Sequence, residues 1–371
     1  MTEFLNRHIL KKLLDNVNYS KNKGMIIASP SNDPPYKFHW VRDSSIVMKV
    51  IIDCYQKNKS KYFIHLINYI ENVSCIQNLD TLTGLGEPKI NITREPYNDP
   101  WGRPQNDGPA LRGLNMLKIY KFFINTYPNI TKELVIPALN KDLNYVLKNY
   151  NKICFDLWEE IQGWHFYTRL VQLKLLKEYI KLKEELRQYI NLDEDYVVKV
   201  YNELKNDIKH HIGNNEIISS FDINGNIIRY DDASILLGLC HIDFDEEFCE
   251  FFTFDKVNNN CNNLLNYFRE KYQLADLNMI GRYQYDEYYG GQLWIICSLG
   301  LAQFYFKYGT NTNNNDLIKL SHNILDYIVS IDINLDLAEQ YNPNTDEQMS
   351  AEKLTWNYSE LYFTNKNFMN A

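Results

Sequence analysis

Trp101-Gly102-Arg103-Pro104-Gln105-Asn106-Asp107-Gly108-Pro109-Ala110-Leu111-Arg112 is a polar, glycine-broken loop that turns into a helix. Pro109 suits a first helical turn, where its missing N–H leaves no bond unmade. The apolar spacing from there predicts a helix over 109–125. Outward from this stretch the arrangement recurs. Trp40-Val41-Arg42-Asp43 precedes a predicted helix over 43–56, with Ser44 and Ser45 as capping candidates. Apolar residues at three- and four-residue intervals predict further helices over 4–15, 60–75, 132–149, 163–186, 193–211, 230–239, 261–271, 290–307, 315–331 and 349–363. Strand-like alternation is sparse, with one hairpin expected between 217–220 and 227–230 around Asn224-Gly225. The runs Asn258–Asn260 and Asn313–Asn315 read as exposed loops. The fold class is all-α. No interdomain linker is visible, so residues 1–371 read as a single domain. Polar clusters on helix-to-helix loops at one end of such an array converge on one pocket.

Of the 371 residues 45% are apolar, 23% are charged, and the net charge is -8. That composition excludes a disordered chain and lacks a basic nucleic-acid footprint. The 28 Tyr fit a general bias of composition better than a set of sugar platforms. Seven scattered Cys without a CxxC pair read as reduced and mostly buried. No HExxH exists, His210-His211 reads as a solvated helix end, and no metal site is expected. The N-terminus lacks a secretory pattern, and no apolar run approaches the ~20 residues of a membrane helix. No membrane partner is expected, and the expected location is cytoplasmic or otherwise intracellular.

Two carboxylate contexts stand out: Asp156-Leu157-Trp158-Glu159-Glu160 and Leu337-Ala338-Glu339-Gln340. Carboxylates beside Trp, Tyr and Arg are what sugar cleavage needs. One protonates the leaving oxygen, one activates water, aromatic faces hold the ring, and Arg and Asp hold its hydroxyls. Alone, a glutamate at a helix start is usually only a partner of the helix dipole. Here Trp158 offers Glu159 an apolar wall that favours the protonated acid. Glu339, followed by Gln340 and Tyr341, reads as the ionised base in a polar loop. Arg42 and Asp43 are either a surface ion pair or a clamp on one sugar. Trp101 reads as a bare ring face, because Gly102 has no side chain to cover it. Arg282 and the run Asp286–Trp294 repeat the polar, aromatic and glycine mixture.

Together, Tyr36–Asp43, Gly86-Glu87-Pro88-Lys89, Trp101–Arg112, Asp156–Glu160, Gly281–Trp294, Leu337–Gln340 and Leu354-Thr355-Trp356 resemble, in order, the signatures of glycoside hydrolase family 15. The likeness is strongest to its fungal-type glucoamylases and runs from about residue 24 to about 363. The resemblance implies an (α/α)6 barrel and inverting exo-hydrolysis of α-1,4-glucan or maltooligosaccharides from the non-reducing end, releasing β-glucose. It implies Glu159 as general acid and Glu339 as general base, steadied by Ser350. Arg42, Asp43 and Arg282 match residues gripping the terminal glucose, and Leu157 and Trp158 match its walls. Trp40 falls in the same binding set, and Tyr36 matches the aromatic beside the attacking water. Trp101, Glu160, Tyr288 and Trp294 match stacking and outer-subsite residues. No cofactor is implied, water is the co-substrate, and a monomer is expected. Pro100 and Gly290 depart from the pattern, and no starch-binding domain is recognisable. Preference for α-1,6 links, or a non-catalytic glucan-binding or regulatory role, are the alternatives; the latter is disfavoured because both carboxylates are present.

Overall fold

The computed structural model describes residues 2–249 and 251–369. Its helices of eight residues or more are α1 (Thr2–Val17), α2 (Val41–Lys57), α3 (Lys59–Ile76), α4 (Asp107–Phe123), α5 (Ile136–Asn149), α6 (Phe166–Leu186), α7 (Glu194–His210), α8 (Ser234–His241), α9 (Phe254–Tyr272), α10 (Ile295–Thr312), α11 (Asn315–Ile331) and α12 (Thr355–Met369). Each of the twelve answers to one predicted helix. A π-turn, Thr131–Val135, leads into α5.

The even-numbered helices form an inner ring. Each touches the next, and α12 touches α2, which closes the ring. The odd-numbered helices lie outside: α1 on α12, α3 on α2, α5 on α4, α7 on α6 and α11 on α10. Phe254 of α9 meets Phe304 of α10 edge to face, with centroids 5.7 Å apart. This is an (α/α)6 barrel. The two rings differ in sequence as their surroundings demand. In α10 every residue from Ile295 to Phe306 is buried, as befits a helix apolar almost all round. In α7 only Val197, Val200, Leu204 and Ile208 are buried, a single stripe at helical spacing.

Short strands gather where inner helices begin. β1 (Phe38–Trp40) runs into α2 and pairs with β2 (Lys89–Asn91). β3 (Cys154–Phe155), β4 (Gln162–His165), β5 (Ser220–Phe221) and β6 (Ile227–Arg229) make a second sheet, and β4 runs into α6. β7 (Leu293–Trp294), β8 (Gln340–Asn342) and β9 (Glu347–Met349) make a third, and β7 runs into α10. The predicted hairpin is β5–β6, with its first strand displaced toward the turn. Gly225 takes φ +82° there, and the Asp222 carboxylate accepts from the Asn224 and Asn226 amides, both at 2.8 Å.

Two local expectations are corrected. Asn258–Asn260 lie inside α9, where the Asn260 side chain is buried and bonds both the amide and the carbonyl of Ile217. Tertiary demand for a buried amide outweighs the loop preference of asparagine. His211 is buried, not solvated: Nδ1 meets the Ile218 carbonyl at 2.7 Å, and Nε2 faces Arg169 at 3.1 Å. All seven cysteines are free. No described helix is long and apolar enough to cross a membrane.

Candidate active site

β3 and β4 are joined by residues 156–161, and that turn carries Glu159. Buried Asp156 ties it down. Its Oδ1 accepts from the Glu160 amide at 2.8 Å and the Ile161 amide at 3.1 Å, and Oδ2 accepts from Arg229 at 3.1 Å. Burial pushes the Asp156 carboxyl up to about 6, against the pull of Arg229 and those amides. Glu159 sits at φ +68°, a conformation costing a side-chain-bearing residue on the order of 1–3 kcal/mol. Beside it, a Cβ at Gly102 would meet the Glu159 carbonyl oxygen at 2.6 Å and Phe155 at 2.9 Å. Gly102 therefore lets two backbones approach, while the Trp101 ring beside it stays partly exposed and borders the cavity. The Lys89 ammonium lies 3.1 Å from the Trp101 ring centroid.

The Glu159 carboxyl is surrounded by N–H donors. Oε1 accepts from Trp40 at 2.7 Å, Gln105 at 3.0 Å and Arg42 at 3.4 Å, and Oε2 accepts from Trp101 at 2.6 Å. The apolar wall expected from Trp158 is displaced, because that indole donates to Asp232 at 2.9 and 3.1 Å. Trp158 and Leu157 line the cavity beyond the carboxyl. Arg42 and Asp43 fall in the first turn of α2, and both are buried. Arg42 is anchored by Asp107 at 2.9 Å and Gln105 at 2.8 Å, while its contact with Asp43 is 3.6 Å. The Arg42–Asp43 pair is thus neither a surface ion pair nor self-contained. Burial pushes Asp43 up to about 6; Arg42 opposes this, and Glu159 and Asp107 add to it.

Glu339 precedes β8 and is buried. Burial pushes its carboxyl up to about 7, against Ser350, Arg282 and Tyr36. The open polar loop expected here is instead an enclosed site. The Ser350 hydroxyl donates to Glu339 Oε2. Tyr36 and Tyr288 place their hydroxyls 3.0 Å apart, and the Tyr288 and Ser350 hydroxyls are 3.4 Å apart. Tyr288 therefore stands by Glu339 rather than at an outer subsite. Arg282 is held by Asp286 in two bonds, at 2.8 and 2.7 Å, and reaches Glu160 at 2.6 Å. Trp294 is likewise deep, packed on Trp158 at 5.5 Å, and its buried Nε1–H has no protein acceptor among the described residues.

All of the site residues expected from the sequence except Ser350 border one cavity of about 410 Å³, within the size range of a small-ligand site. One side offers a carboxyl met by four donors, another a carboxyl beside hydroxyls, and two guanidiniums are each anchored by a buried aspartate, Asp107 for Arg42 and Asp286 for Arg282. Sequence reasoning missed Gln105, Asp107, Arg229, Asp232 and Asp286 as parts of the machinery. Asp107 and Gln105 were visible in the opening stretch but read as a helix start. Asp286, four residues after Arg282, had a spacing signal. Arg229 and Asp232 had none, because only the β5–β6 hairpin brings them here. Among the described residues, no group of three or more His, Cys, Asp or Glu could hold a metal ion.

Comparison with known proteins agrees with this fold. Glucoamylase-1 of Arthroderma benhamiae is 30% identical over 318 residues, covering 79% of this chain and 51% of that protein. The chain spans about half the length of several curated relatives it matches. The glucoamylase of Saccharomycopsis fibuligera superposes with a TM-score of 0.87 at 22% identity, over 99% of this chain and 95% of that one. The family 15 glucoamylase of Hypocrea jecorina does so with 0.85 at 26% identity, over 96% and 70%. The model of "Glycosyl hydrolases family 15" matches residues 7–362, and with the closed double ring and the paired glutamates at its mouth, the chain belongs to that family.

Proposed function

We propose that this chain is an inverting exo-glucosidase that hydrolyses α-1,4-linked glucans from the non-reducing end and releases β-glucose. The observation that carries the reading is that Glu159 and Glu339, in opposite kinds of surroundings, border one cavity. Protonated Glu159 gives its proton to the glycosidic oxygen as the bond to C1 breaks. The resulting carboxylate is met at once by the indoles of Trp40 and Trp101, by Gln105 and by Arg42. Such preorganised donors stabilise charge where it develops. Ionised Glu339 takes a proton from water, whose oxygen attacks C1 from the opposite face; inversion needs roughly 6.5–9.5 Å between the carboxyls. Ser350 and Tyr36 orient the base. Asp43, which borders the cavity and lies 3.6 Å from Arg42, accepts from a sugar hydroxyl.

We propose soluble maltooligosaccharides or glycogen as the substrates, and a monomer acting inside the cell. Proton NMR of the first glucose released from maltotriose and from isomaltotriose tests the reading. β-Glucose from maltotriose, formed faster than from isomaltotriose, is expected. α-Glucose as first product would overturn inversion, and faster release from isomaltotriose would shift the linkage to α-1,6.

A further inference from the structure

Lys89 is a charged side chain that the reaction above does not use. It is 1% exposed. Its ammonium sits among four aromatic rings, with centroids at 3.1 Å (Trp101), 4.1 Å (Tyr97), 4.6 Å (Phe38) and 4.7 Å (Trp40). The strand register explains part of this cage, since Lys89 of β2 lies directly opposite Trp40 of β1. Glu87, two residues away, is taken by Arg103 at 2.9 Å and by Thr83 at 3.1 Å. Glu159, Asp99 and Glu87 act on Lys89 only through space, and Arg103 opposes them. Burial without a paired carboxylate is costly for an ammonium; it lowers the group to about 8, so it is still largely charged at neutral pH.

Two of the four rings are not passive. Trp40 and Trp101 are the residues whose N–H groups hold opposite oxygens of Glu159. A cation over an indole face draws electron density from the ring and strengthens its N–H as a donor. We infer that Lys89 is a positioning residue for the reaction, polarising the Trp40 and Trp101 indoles so that Glu159 is held in one orientation and gives up its proton more readily. This rests on the proposed role of Glu159 as the acid, but the electrostatic link itself does not. Besides Lys89, the charged and titratable groups acting on Glu159 are Arg42 and Asp43 in α2 and Tyr36 before β1; Asp107 holds Arg42 from behind, and Glu160 is adjacent in sequence. Tyr36 packs on the Trp40 ring at 5.3 Å but is neutral, so among the described residues Lys89 is the one cation on the indoles of the Trp40–Trp101 pair.

The test uses the whole chain, with Lys89→Met to remove the charge at similar volume, Lys89→Gln as a second neutral variant, and Lys89→Arg to restore it. Ionisation of Glu159 perturbs the near-ultraviolet absorbance of the two indoles bonded to it, and the transition is assigned by its loss in Glu159→Gln. In both neutral variants the midpoint should move up by roughly half to one pH unit, and Lys89→Arg should bring it back. The alkaline limb of kcat/KM on maltotriose should move with it. In a Trp101→Phe background the Lys89→Met displacement should shrink. If a neutral variant does not fold, the other supplies the midpoint; if neither folds, the wild-type transition read with and without Trp101→Phe decides, since an unmoved midpoint there would refute the relay. An unchanged midpoint in a folded neutral variant overturns the inference. A moved midpoint without any glucan hydrolysis by the wild-type chain would leave the link standing and overturn the proposed function instead.

Discussion

Glu339→Gln separates what the buried carboxyl contributes to chemistry from what it costs the fold. A glutamate ordinarily titrates at 4.5, and burial lifts Glu339 to about 7. Below about pH 4.5 the group is protonated in both folded and unfolded chains, so glutamate and glutamine should be nearly equivalent. As the pH rises toward 7 the unfolded chain releases the proton first. Stability that is fully present below 4.5 is therefore lost progressively up to about 7. The displacement of some 2.5 units corresponds to roughly 3 kcal/mol. Spread over 371 residues, with an unfolding entropy of about 2 cal/mol/K per residue, this is about 4 °C in Tm. Glutamine still accepts from Ser350 and carries no charge to bury. Thermal unfolding of both proteins should show near-equal Tm at pH 4.5 and the variant higher by about 4 °C at pH 8. A difference that is the same at both pH values, or a variant less stable at pH 8, would refute the reasoning. Hydrolysis should be lost at every pH.

The raised Glu339 also sets the acid limb: kcat/KM in the free protein should fall as the pH drops below about 7, and a rate flat from pH 5 to 8 would remove Glu339 as the base. Glu159→Gln should retain maltotriose binding by calorimetry while losing turnover by at least ~10²–10⁴-fold; unchanged hydrolysis would take Glu159 out of the role. Trp101→Phe removes a charge-assisted bond to Glu159 and should cost roughly 10- to 100-fold in kcat on maltose and maltoheptaose alike. A loss confined to the longer chain would make Trp101 an outer stacking platform after all. Arg112→Leu leaves Asp142 buried and unpaired between α4 and α5, where Arg112 now holds it at 2.6 and 3.1 Å. Chemical denaturation should register a loss of about 3–5 kcal/mol, and a loss under 1 kcal/mol would count against that ion pair.

The helices were legible because each must bury a stripe or a whole surface, and that requirement is written at three- and four-residue spacing. The short strands were mostly missed. β3 and β7 are two residues long, too brief for alternation to register, and they exist because flanking loops hold them in place. Glu159 and Glu339 were legible from their neighbours, but their environments were not. Which carboxyl is enclosed depends on contacts across the barrel, such as Trp40 and Trp101 to Glu159 over 119 and 58 residues. Trp158 adjoins Glu159 in sequence, yet its polar end belongs to Asp232. Adjacency in a tight turn sends successive side chains to different partners. For the same reason the close backbone approach that Gly102 permits was not legible beside Trp101.

The closing of the inner ring by α12 against α2 bears on how the molecule comes into being. The last helix brings Trp356 to the cavity wall, and it also carries the Asn365 amide that donates to Asn6 of α1 at 2.8 Å. The active-site cavity is not complete until α12 has returned to α2, across more than three hundred residues. Contacts this distant in sequence are slow to find, so partly emerged chains should carry helices without activity. The same neighbourhood makes the connectivity negotiable. With α1 and α12 side by side, a short tether between them and a new break in an exposed turn such as 223–226 would thread the same barrel in a different order. A protein of that circularly permuted sequence should form the same barrel and keep whatever hydrolysis the original shows.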